Sequence, residues 1–320
     1  MPPAGGNTAR QAQENVVDSF QELVGQVCSS RIRSHIEALQ GPRHPVAAPS
    51  ALEAAAAYIE QNLKGAGYEV NDLWFQDSGA KYRNLMASLP GTLYPDERVL
   101  VVAHYDTVAQ TPGADDNASG IALLLELAAA LRPFRFERTV DFIAVNLEEN
   151  ARDDEPLSGT RGSLALANHA REMGWRVNGA IVLESVAYAG DDVVQTAPEG
   201  IPFKVSEVGN FIAAVGNENS IAMLLKFAGV IDRYQVPLPY LILAVPGNGE
   251  SIPDTRRSDH APFWDNGFKS VMLTDTTNFR NPHYHQPTDT IETLNLCFAT
   301  EVCRATGGLI MELAGVDGAA

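Results

Sequence analysis

Cysteine is scarce in this chain. Three cysteines, Cys28, Cys297 and Cys303, occur among 320 residues, and none of them forms a CxxC pair. Three thiols cannot all pair with one another, so we expect neither a disulfide framework nor a thiolate zinc site. Basic residues are also in short supply, since 23 Lys and Arg face 40 Asp and Glu and leave a net charge of −17. Nucleic acids and anionic membranes both require a basic surface, so neither is expected as a partner.

Long apolar runs and a recognisable leader are lacking as well. The richest apolar segment, "IALLLELAAAL", is too short to span a bilayer and contains Glu126. The N-terminus, "MPPAGGNTARQAQENVV", does not show the basic-then-apolar pattern of a signal peptide. A secreted chain whose leader had been removed would look the same, so the compartment stays open, with the cytoplasm slightly favoured.

The rest of the composition predicts a large apolar core. Apolar residues make up 45% of the chain, and five strongly apolar runs alternate with helical patterns. Strands of this kind are buried on both faces, so helices must cover both sides of their sheet. We predict an α/β fold: a three-layer sandwich with a central, mostly parallel mixed sheet, forming one domain over 13–320 after a loose tail at 1–12. The predicted strands are near 68–75, 83–89, 98–104, 139–146, 179–185, 239–245 and 269–275, and the predicted helices are at 13–40, 50–66, 119–131, 161–172, 205–229, 261–266 and 290–314.

Residues that ligate metals follow four of the predicted strands. Ligands of open α/β sheets bind beyond the carboxyl ends of the strands, so these side chains should gather at one edge. Each motif alone is weak, because a single His or a Glu-Glu pair is commonly structural or solvated. Crowded together, however, so many carboxylates would repel one another unless cations lay between them. The residues are His104, Asp106, Asp115, Asp116, Glu148, Glu149, Glu184, His283 and His285.

The donor types indicate which metal would bind. Imidazole mixed with carboxylate, without thiolate, suits catalytic zinc, and cobalt or manganese could occupy the same ligands. Two His and three carboxylates are too many for one open tetrahedral site. They fit two ions, roughly 3.5–4 Å apart, that share a bridging carboxylate. Three carboxylates and one hydroxide would also balance the charge of two divalent ions, which leaves a further carboxylate free to act as a base.

The sequence resembles the zinc aminopeptidases of the M28 metallopeptidase family. The resemblance runs from about residue 50 to about residue 295 and rests on five motifs in order: "AHYDT", "GADDNASG", "EEN", "LES" and "PHYHQPTDT". It implies a zinc-exopeptidase-like fold and a non-proline cis peptide bond between Asp116 and Asn117.

The resemblance also implies a role for each site residue. Asp116 becomes the bridging ligand, favoured over Asp115, and His283 becomes structural. "SDHAPFW" resembles a segment that lines the family's site, so Asp259 and His260 are candidates to support the ligands or contact substrate. Asp289 and Thr290 would support the His285 loop, although "PTDT" also reads as a plain helix N-cap. The implied metal ligands are His104, Asp116, Glu149, Glu184 and His285, with Asp106 orienting His104 and Glu148 acting as general base.

The implied reaction is hydrolysis of the N-terminal peptide bond of a substrate with a free amine. Three alternatives remain. A carboxypeptidase of the same family would need a cation for the substrate carboxylate, and a glutaminyl cyclase-like acyltransferase would use one zinc, with Trp expected where this chain has Tyr284. A binding module without activity would conflict with the intact ligand set and Glu148. The cations available to a carboxypeptidase are Arg161, Arg256, Arg257 and Arg280.

Overall fold

A computed structural model describes residues 18–149 and 158–317, so the predicted tail at 1–12 lies outside the described residues. The helices are α1 (18–26), α2 (Ser29–Leu39), α3 (Pro49–Gly65), α4 (Gly120–Leu131), α5 (Arg161–Glu172), α6 (Ile221–Tyr234), α7 (His260–Asp265) and α8 (Leu296–Ala314). The strands are β1 (Val70–Asp77), β2 (Ala80–Leu89), β3 (Tyr94–His104), β4 (Arg138–Val145), β5 (Arg176–Glu184), β6 (Ile212–Asn217), β7 (Tyr240–Val245) and β8 (Ser270–Thr274).

All eight strands form one mixed sheet in the order β1-β2-β4-β3-β5-β8-β6-β7. Its centre is parallel: β3 pairs in parallel with β4 and β5, and β5 pairs in parallel with β8. The first two strands pair antiparallel with each other, and β2 pairs antiparallel with β4. Because β3, β4, β5 and β8 all point the same way, their carboxyl ends meet at one edge of the sheet.

Helices cover both faces of the sheet, as predicted. Alternate residues of β3 point to opposite faces, so Val99 and Val101 join the larger core cluster while Leu100 and Val102 join a second cluster. Helices α4 and α8 supply the larger cluster, and α5 and α7 supply Leu166 and Phe263 to the second. The three-layer α/β sandwich expected from the sequence is therefore confirmed.

The predicted helix over 205–229 is wrong in its first half. Residues Ile212–Asn217 form the buried strand β6, antiparallel to β8 and parallel to β7, and helix α6 begins only at Ile221. Short apolar runs such as "FIAAVGN" have no period that separates a buried strand from a buried helix. The predicted helix over 13–40 is also interrupted, because Cys28 is extended (φ −123°) between α1 and α2.

An ion pair with a half-exposed arginine explains the buried carboxylate inside the apolar helix α4. Glu126 is fully buried, accepts the backbone N–H of Cys28 at 2.6 Å and pairs with Arg31 at 2.7 Å.

The three cysteines are free thiols, as the sequence predicted. Among residues 18–149 and 158–317, helices with the length and apolar content to cross a bilayer are absent.

Candidate metal centre

Three of the parallel strands deliver ligand-type side chains to the same edge of the sheet. His104 is the last residue of β3 and Glu184 is the last residue of β5. Glu148 and Glu149 follow the end of β4 by three and four residues. All four are buried, with Glu148 the most accessible at 8%. His285 lies in the long loop after β8 and joins the cluster beside Asp116 and Glu149.

Two groups of donor atoms share the side chain of Asp116. One group is His104, Asp116 and Glu184, and the other is Asp116, Glu149 and His285, each with its atoms within 4.8 Å of one another. Asp116 Oδ1 lies 3.3 Å from His104 Nε2, whereas its Oδ2 lies 3.2 Å from His285 Nε2. The two oxygens of one carboxylate therefore face two different imidazoles. The structure brings together the five residues that the sequence had predicted as ligands.

The backbone around Asp116 is shaped to present this carboxylate. Gly113 has φ +60°, and a Cβ there would collide with the carbonyl of Asp116 and the side chain of Thr107. Asp116 itself is extended (φ −105°, ψ 91°) in the turn Ala114–Ser119 that precedes α4, and its peptide bond to Asn117 is cis, as the resemblance implied. The turn thus rotates Asp116 out of the helical path and towards the two imidazoles.

Asp289 fixes this turn from the opposite side. Its carboxylate accepts the backbone N–H of Asp115 at 2.9 Å and that of Asp116 at 3.2 Å. Asp289 is fully buried, and burial, reinforced by the charge of Asp115, raises its pKa to about 8. The plain N-cap interpretation of "PTDT" is therefore wrong for Asp289, because its carboxylate anchors the Asp116 turn instead.

Asp106 links the loops that follow β3 and β4. Its two oxygens accept the backbone N–H groups of Glu148 at 3.0 Å and Glu149 at 3.1 Å. Its distance to His104 Nδ1 is 3.6 Å, which is longer than a hydrogen bond. In this structure Asp106 therefore orients the two glutamates more directly than it orients His104.

Burial and mutual charge shift the pKa values of the cluster strongly. Burial raises the pKa of Glu149 to about 7, with a further contribution from Asp116. Burial also raises the pKa of Glu148 well above its usual value, although His104 opposes the shift. Burial alone would lower the pKa of His285, but Asp116 and Glu149 raise it to about 10. Buried carboxylates thus favour positive charge at the imidazole positions, which is the charge that a metal cation supplies.

The donor atoms fit a zinc centre. His104 Nε2, His285 Nε2 and Glu149 Oε1 are buried and lack hydrogen-bond partners among the described residues. Unpartnered polar atoms are costly in a protein interior unless another group satisfies them. Imidazole nitrogen with carboxylate oxygen is the donor set of catalytic zinc sites. Ser258 holds Glu184 in place by donating its hydroxyl to Glu184 Oε2 at 2.7 Å.

Four other predicted candidates lie outside both donor groups. Asp115 accepts the N–H of Ala187 at 3.1 Å and is turned away from the imidazoles. His283 contacts the Thr288 hydroxyl at 2.9 Å, and His260 contacts the Thr255 carbonyl at 2.7 Å. Asp259 is fully buried with both oxygens unpartnered, and burial raises its pKa to about 7.

Arg43 is a component of the site that the sequence reasoning missed. Its guanidinium is buried and donates to backbone carbonyls on both sides of the ligand-bearing loops, including Tyr105 at 2.8 Å and Gly113 at 3.0 Å. Burial lowers its pKa to about 10, and Asp106 and Asp116 oppose that shift. Only its burial reveals this role, since one arginine in "GPRHP" carries no periodic signal. Its remaining acceptors are the carbonyls of Leu39, Gly41 and Pro112.

Two clefts meet at the cluster. The first is an apolar pocket between the sheet and the 195–205 segment. The second is a larger cleft that opens beside the start of α5. Glu148 lines both clefts, so it stands where they join. Apolar side chains in the first pocket include Ile201, Phe211, Val215, Leu243, Met272 and Phe279.

The pattern of Peptidase family M28 matches residues 84–306, which is more than half of the chain. The chain belongs to peptidase family M28. A relative, the uncharacterized protein YfbL of Escherichia coli K12, is 31% identical over 261 residues, covering 76% of this chain and 75% of YfbL. A probable leucine aminopeptidase 1 of Trichophyton verrucosum is 28% identical, covering 79% of this chain and 64% of that protein. The chain therefore spans just under two-thirds of the fungal relative's length.

Solved structures share the M28 fold at low sequence identity. An aminopeptidase from Aneurinibacillus sp. strain AM-1 has a TM-score of 0.70 at 16% identity, with coverage of 92% of this chain and 96% of that one. The glutaminyl cyclase of Macrostomum lignano has a TM-score of 0.75 at 15% identity, with coverage of 94% of both chains. At these identities the similarity shows the fold alone, so peptidase and cyclase chemistry must be separated by the site.

Proposed function

We propose that this chain is a zinc-dependent aminopeptidase that hydrolyses the N-terminal peptide bond of substrates with a free amine. The observation that carries the proposal is the division of the Asp116 carboxylate between two donor groups, with Oδ1 towards His104 and Oδ2 towards His285. Two ions that share one carboxylate are typical of co-catalytic hydrolases. The proposed ligands are His104 and Glu184 for one ion, His285 and Glu149 for the other, and Asp116 for both; cobalt or manganese could replace zinc.

Glu148 is the proposed general base. It belongs to neither donor group, yet its Oε2 lies 3.9 Å from His104 Nε2 and its side chain lines both clefts. Zinc held by the five ligands would supply a Lewis acid for the scissile carbonyl and would lower the pKa of water. Glu148 then accepts a proton from the attacking water and returns it to the leaving amide nitrogen. Asp106 holds Glu148 at this position, because its carboxylate accepts the backbone N–H of Glu148.

The apolar pocket is the proposed site for the side chain of the N-terminal residue. Its wall contains Phe211, Val215 and Leu243, and burying a Leu- or Phe-sized side chain there is worth roughly 1.5–3 kcal/mol. The name of the Trichophyton relative, leucine aminopeptidase, agrees with this preference. We therefore expect leucyl and phenylalanyl substrates to be hydrolysed faster than glycyl or aspartyl substrates.

A panel of aminoacyl anilides tests the proposal. Zinc-loaded protein should release the chromophore from the leucyl substrate, a chelator should abolish the reaction, and N-acetylation of the substrate should also prevent it. Hydrolysis of N-acetylated peptides from their C-terminus would instead identify a carboxypeptidase. A zinc-loaded protein without activity on any of these substrates would support a binding module.

A glutaminyl cyclase is the second candidate, because a solved cyclase superposes over 94% of this chain. The two distinct donor groups around Asp116 favour two ions, whereas the cyclase interpretation expects one. Incubation with an N-terminal glutaminyl peptide separates them. A cyclase forms pyroglutamate with loss of ammonia, and an aminopeptidase releases free glutamine.

A further inference from the structure

Three further side chains, one acidic, one cationic and one phenolic, stand with Glu148 at the junction of the two clefts. Asp254, Arg257 and Tyr284 line both the apolar pocket and the larger cleft. If the N-terminal side chain occupies the apolar pocket and Glu148 marks the scissile bond, the leaving residue must lie on the side of the larger cleft. Arg257 is then the arginine that lines both clefts, beside the path of the leaving residue. This reasoning rests on the aminopeptidase function proposed above.

Arg257 has hydrogen-bonding capacity to spare. Its Nη1 contacts Asp254 Oδ1 at 3.3 Å and Asn278 Oδ1 at 2.9 Å, and its Nη2 contacts the Tyr284 hydroxyl at 3.4 Å. Nε and one N–H of Nη2 have no partner among the described residues, although a guanidinium carries five donors in a planar fork. The Asp254 ion pair is a single contact between side chains that are 38% and 41% exposed, and such pairs are weak.

The other arginines considered as carboxylate-binding cations are committed elsewhere. Arg161 pairs with Asp77 and donates to the Glu149 carbonyl at 3.0 Å. Arg280 is buried and donates to Gln195 at 2.6 Å. Neither Arg161 nor Arg280 lines either cleft. Arg256 lines only the larger cleft and is held by the Asn248 carbonyl at 2.6 Å and by Asp265 at 2.8 Å.

The side chain of Tyr284 connects the proposed ligand His285 with Arg257. The Tyr284 ring stacks on the His285 ring with centroids 3.8 Å apart, and its hydroxyl lies 3.4 Å from Arg257 Nη2. His285 and Arg257 are therefore both neighbours of the same tyrosine side chain. In a dipeptide, the free carboxylate belongs to the leaving residue and lies within about one residue length, ~3.3–3.6 Å, of the scissile nitrogen. In longer peptides the carboxylate lies farther away, and a peptide amide occupies its place.

We propose that Arg257 binds the free α-carboxylate of dipeptide substrates, so that the enzyme hydrolyses dipeptides in preference to longer or C-terminally amidated peptides. Arg–carboxylate contacts are charge-assisted and can be bidentate, which an amide cannot reproduce. Arg257 is thus a residue that sets specificity for the leaving side of the substrate. The apolar pocket sets specificity for the N-terminal side.

The test compares kcat/KM for leucyl-leucine with kcat/KM for leucyl-leucinamide, using zinc-loaded full-length protein. We expect the wild type to favour the free dipeptide by on the order of 10- to 100-fold, the range for a hydrogen bond to a charged group. Arg257→Gln should bring the ratio close to one, mainly by raising KM for the dipeptide. Arg257→Lys should keep an intermediate ratio, because it retains the charge without the fork.

Arg256→Gln is the matched control, since it removes the neighbouring cation and should keep the wild-type ratio. A wild-type ratio near one would overturn the assignment, and so would an Arg257→Gln variant that loses both activities equally while keeping its ratio. If Arg257→Gln does not fold, the ratio of Arg257→Lys decides in the same way.

Hydrolysis of leucyl anilide is measured in parallel. Activity on the anilide without discrimination between dipeptide and amide contradicts only the Arg257 assignment, whereas inactivity on all three substrates contradicts the proposed function itself.

Discussion

The carboxylate of Asp106 accepts the backbone N–H of Glu148 at 3.0 Å, which ties the loop after β3 to the loop after β4. The same side chain accepts the next N–H along the chain, that of Glu149. Two adjacent glutamates are thereby held with different environments. Glu149 Oε2 lies 3.3 Å from His285 Nε2, whereas Glu148 lies outside both donor groups. This difference is what the proposed roles require, with Glu149 as a metal ligand and Glu148 as the general base.

Replacing each of these glutamates by glutamine should separate their roles. Glu148→Gln should lower kcat by on the order of 10²–10⁴, the usual contribution of a general base, and should retain its metal. Glu149→Gln should instead bind one ion more weakly and recover activity when zinc is added in excess. Measurement of kcat across a zinc titration checks both variants. If zinc rescued Glu148→Gln and not Glu149→Gln, the two roles would be reversed.

Metal content should depend on which histidine is removed. The wild type should bind about two zinc ions per chain, and His104→Ala and His285→Ala should each lose about one, because each imidazole belongs to a different donor group. Asp116→Asn should weaken both sites, since its two oxygens face both histidines. Asp115→Asn is the matched control and should retain both ions. Elemental analysis of dialysed protein gives the counts, and one ion per fully active wild-type chain is the result that contradicts this prediction.

Loss of the buried Arg43 should destabilise the fold. Arg43→Met leaves several buried carbonyls without a donor, and each unsatisfied group costs about 1–3 kcal/mol, so the free energy of unfolding should fall by at least ~3 kcal/mol. Arg33→Met is the control: Arg33 is exposed on α2 and makes one i,i+4 pair with Glu37, so its loss should cost less than ~0.5 kcal/mol. Urea unfolding of both variants measures the difference. Equal stability of the two would show that Arg43 does not brace the ligand loops.

Chelator-treated protein should become less stable as pH rises from about 5 to 8. Burial raises the folded-state pKa values of Glu149 and Asp259 to about 7, and the pKa of Asp289 to about 8. A carboxyl group whose pKa is raised by folding contributes most to stability at pH values below its unfolded-state pKa. This contribution is lost as pH rises through its folded-state pKa. His285 acts in the same direction, because folding raises its pKa to about 10. The stability contributed by its protonated form is lost as pH rises from its unfolded-state pKa towards 10.

Zinc should counter this loss, because its ligands bind as deprotonated groups and its affinity therefore increases with pH. The difference in melting temperature between zinc-loaded and chelated protein should increase steadily from pH 5 to pH 8. Asp259→Asn removes one of the contributing carboxyl groups, so in chelated protein it should raise the melting temperature at pH 8 more than at pH 5. A difference that is independent of pH would show that these carboxyl groups do not control the stability of the metal-free site.

The amino-acid sequence by itself determined the architecture and the composition of the candidate centre. Apolar runs such as 98–104 and 179–185 required burial on both faces, and the parallel strands they form placed His104 and Glu184 at one sheet edge. These inferences succeed because apolar runs and their alternation with helical patterns are local properties that a sequence expresses directly. The M28 motifs then selected Asp116 over Asp115, and the structure brings Asp116 into both donor groups.

Only the tertiary structure decided which neighbours complete that centre. The run at 212–217 became strand β6 because a place in the sheet beside β8 was available, and its short apolar pattern is equally compatible with a helix. Arg43 and Asp289 have partners dozens to hundreds of residues away, such as Asp289 with the turn at Asp115. Arg257 meets Asn278 and Tyr284 from the loop after β8. Contacts at such separations depend on how the layers pack, and no local pattern in the sequence records them.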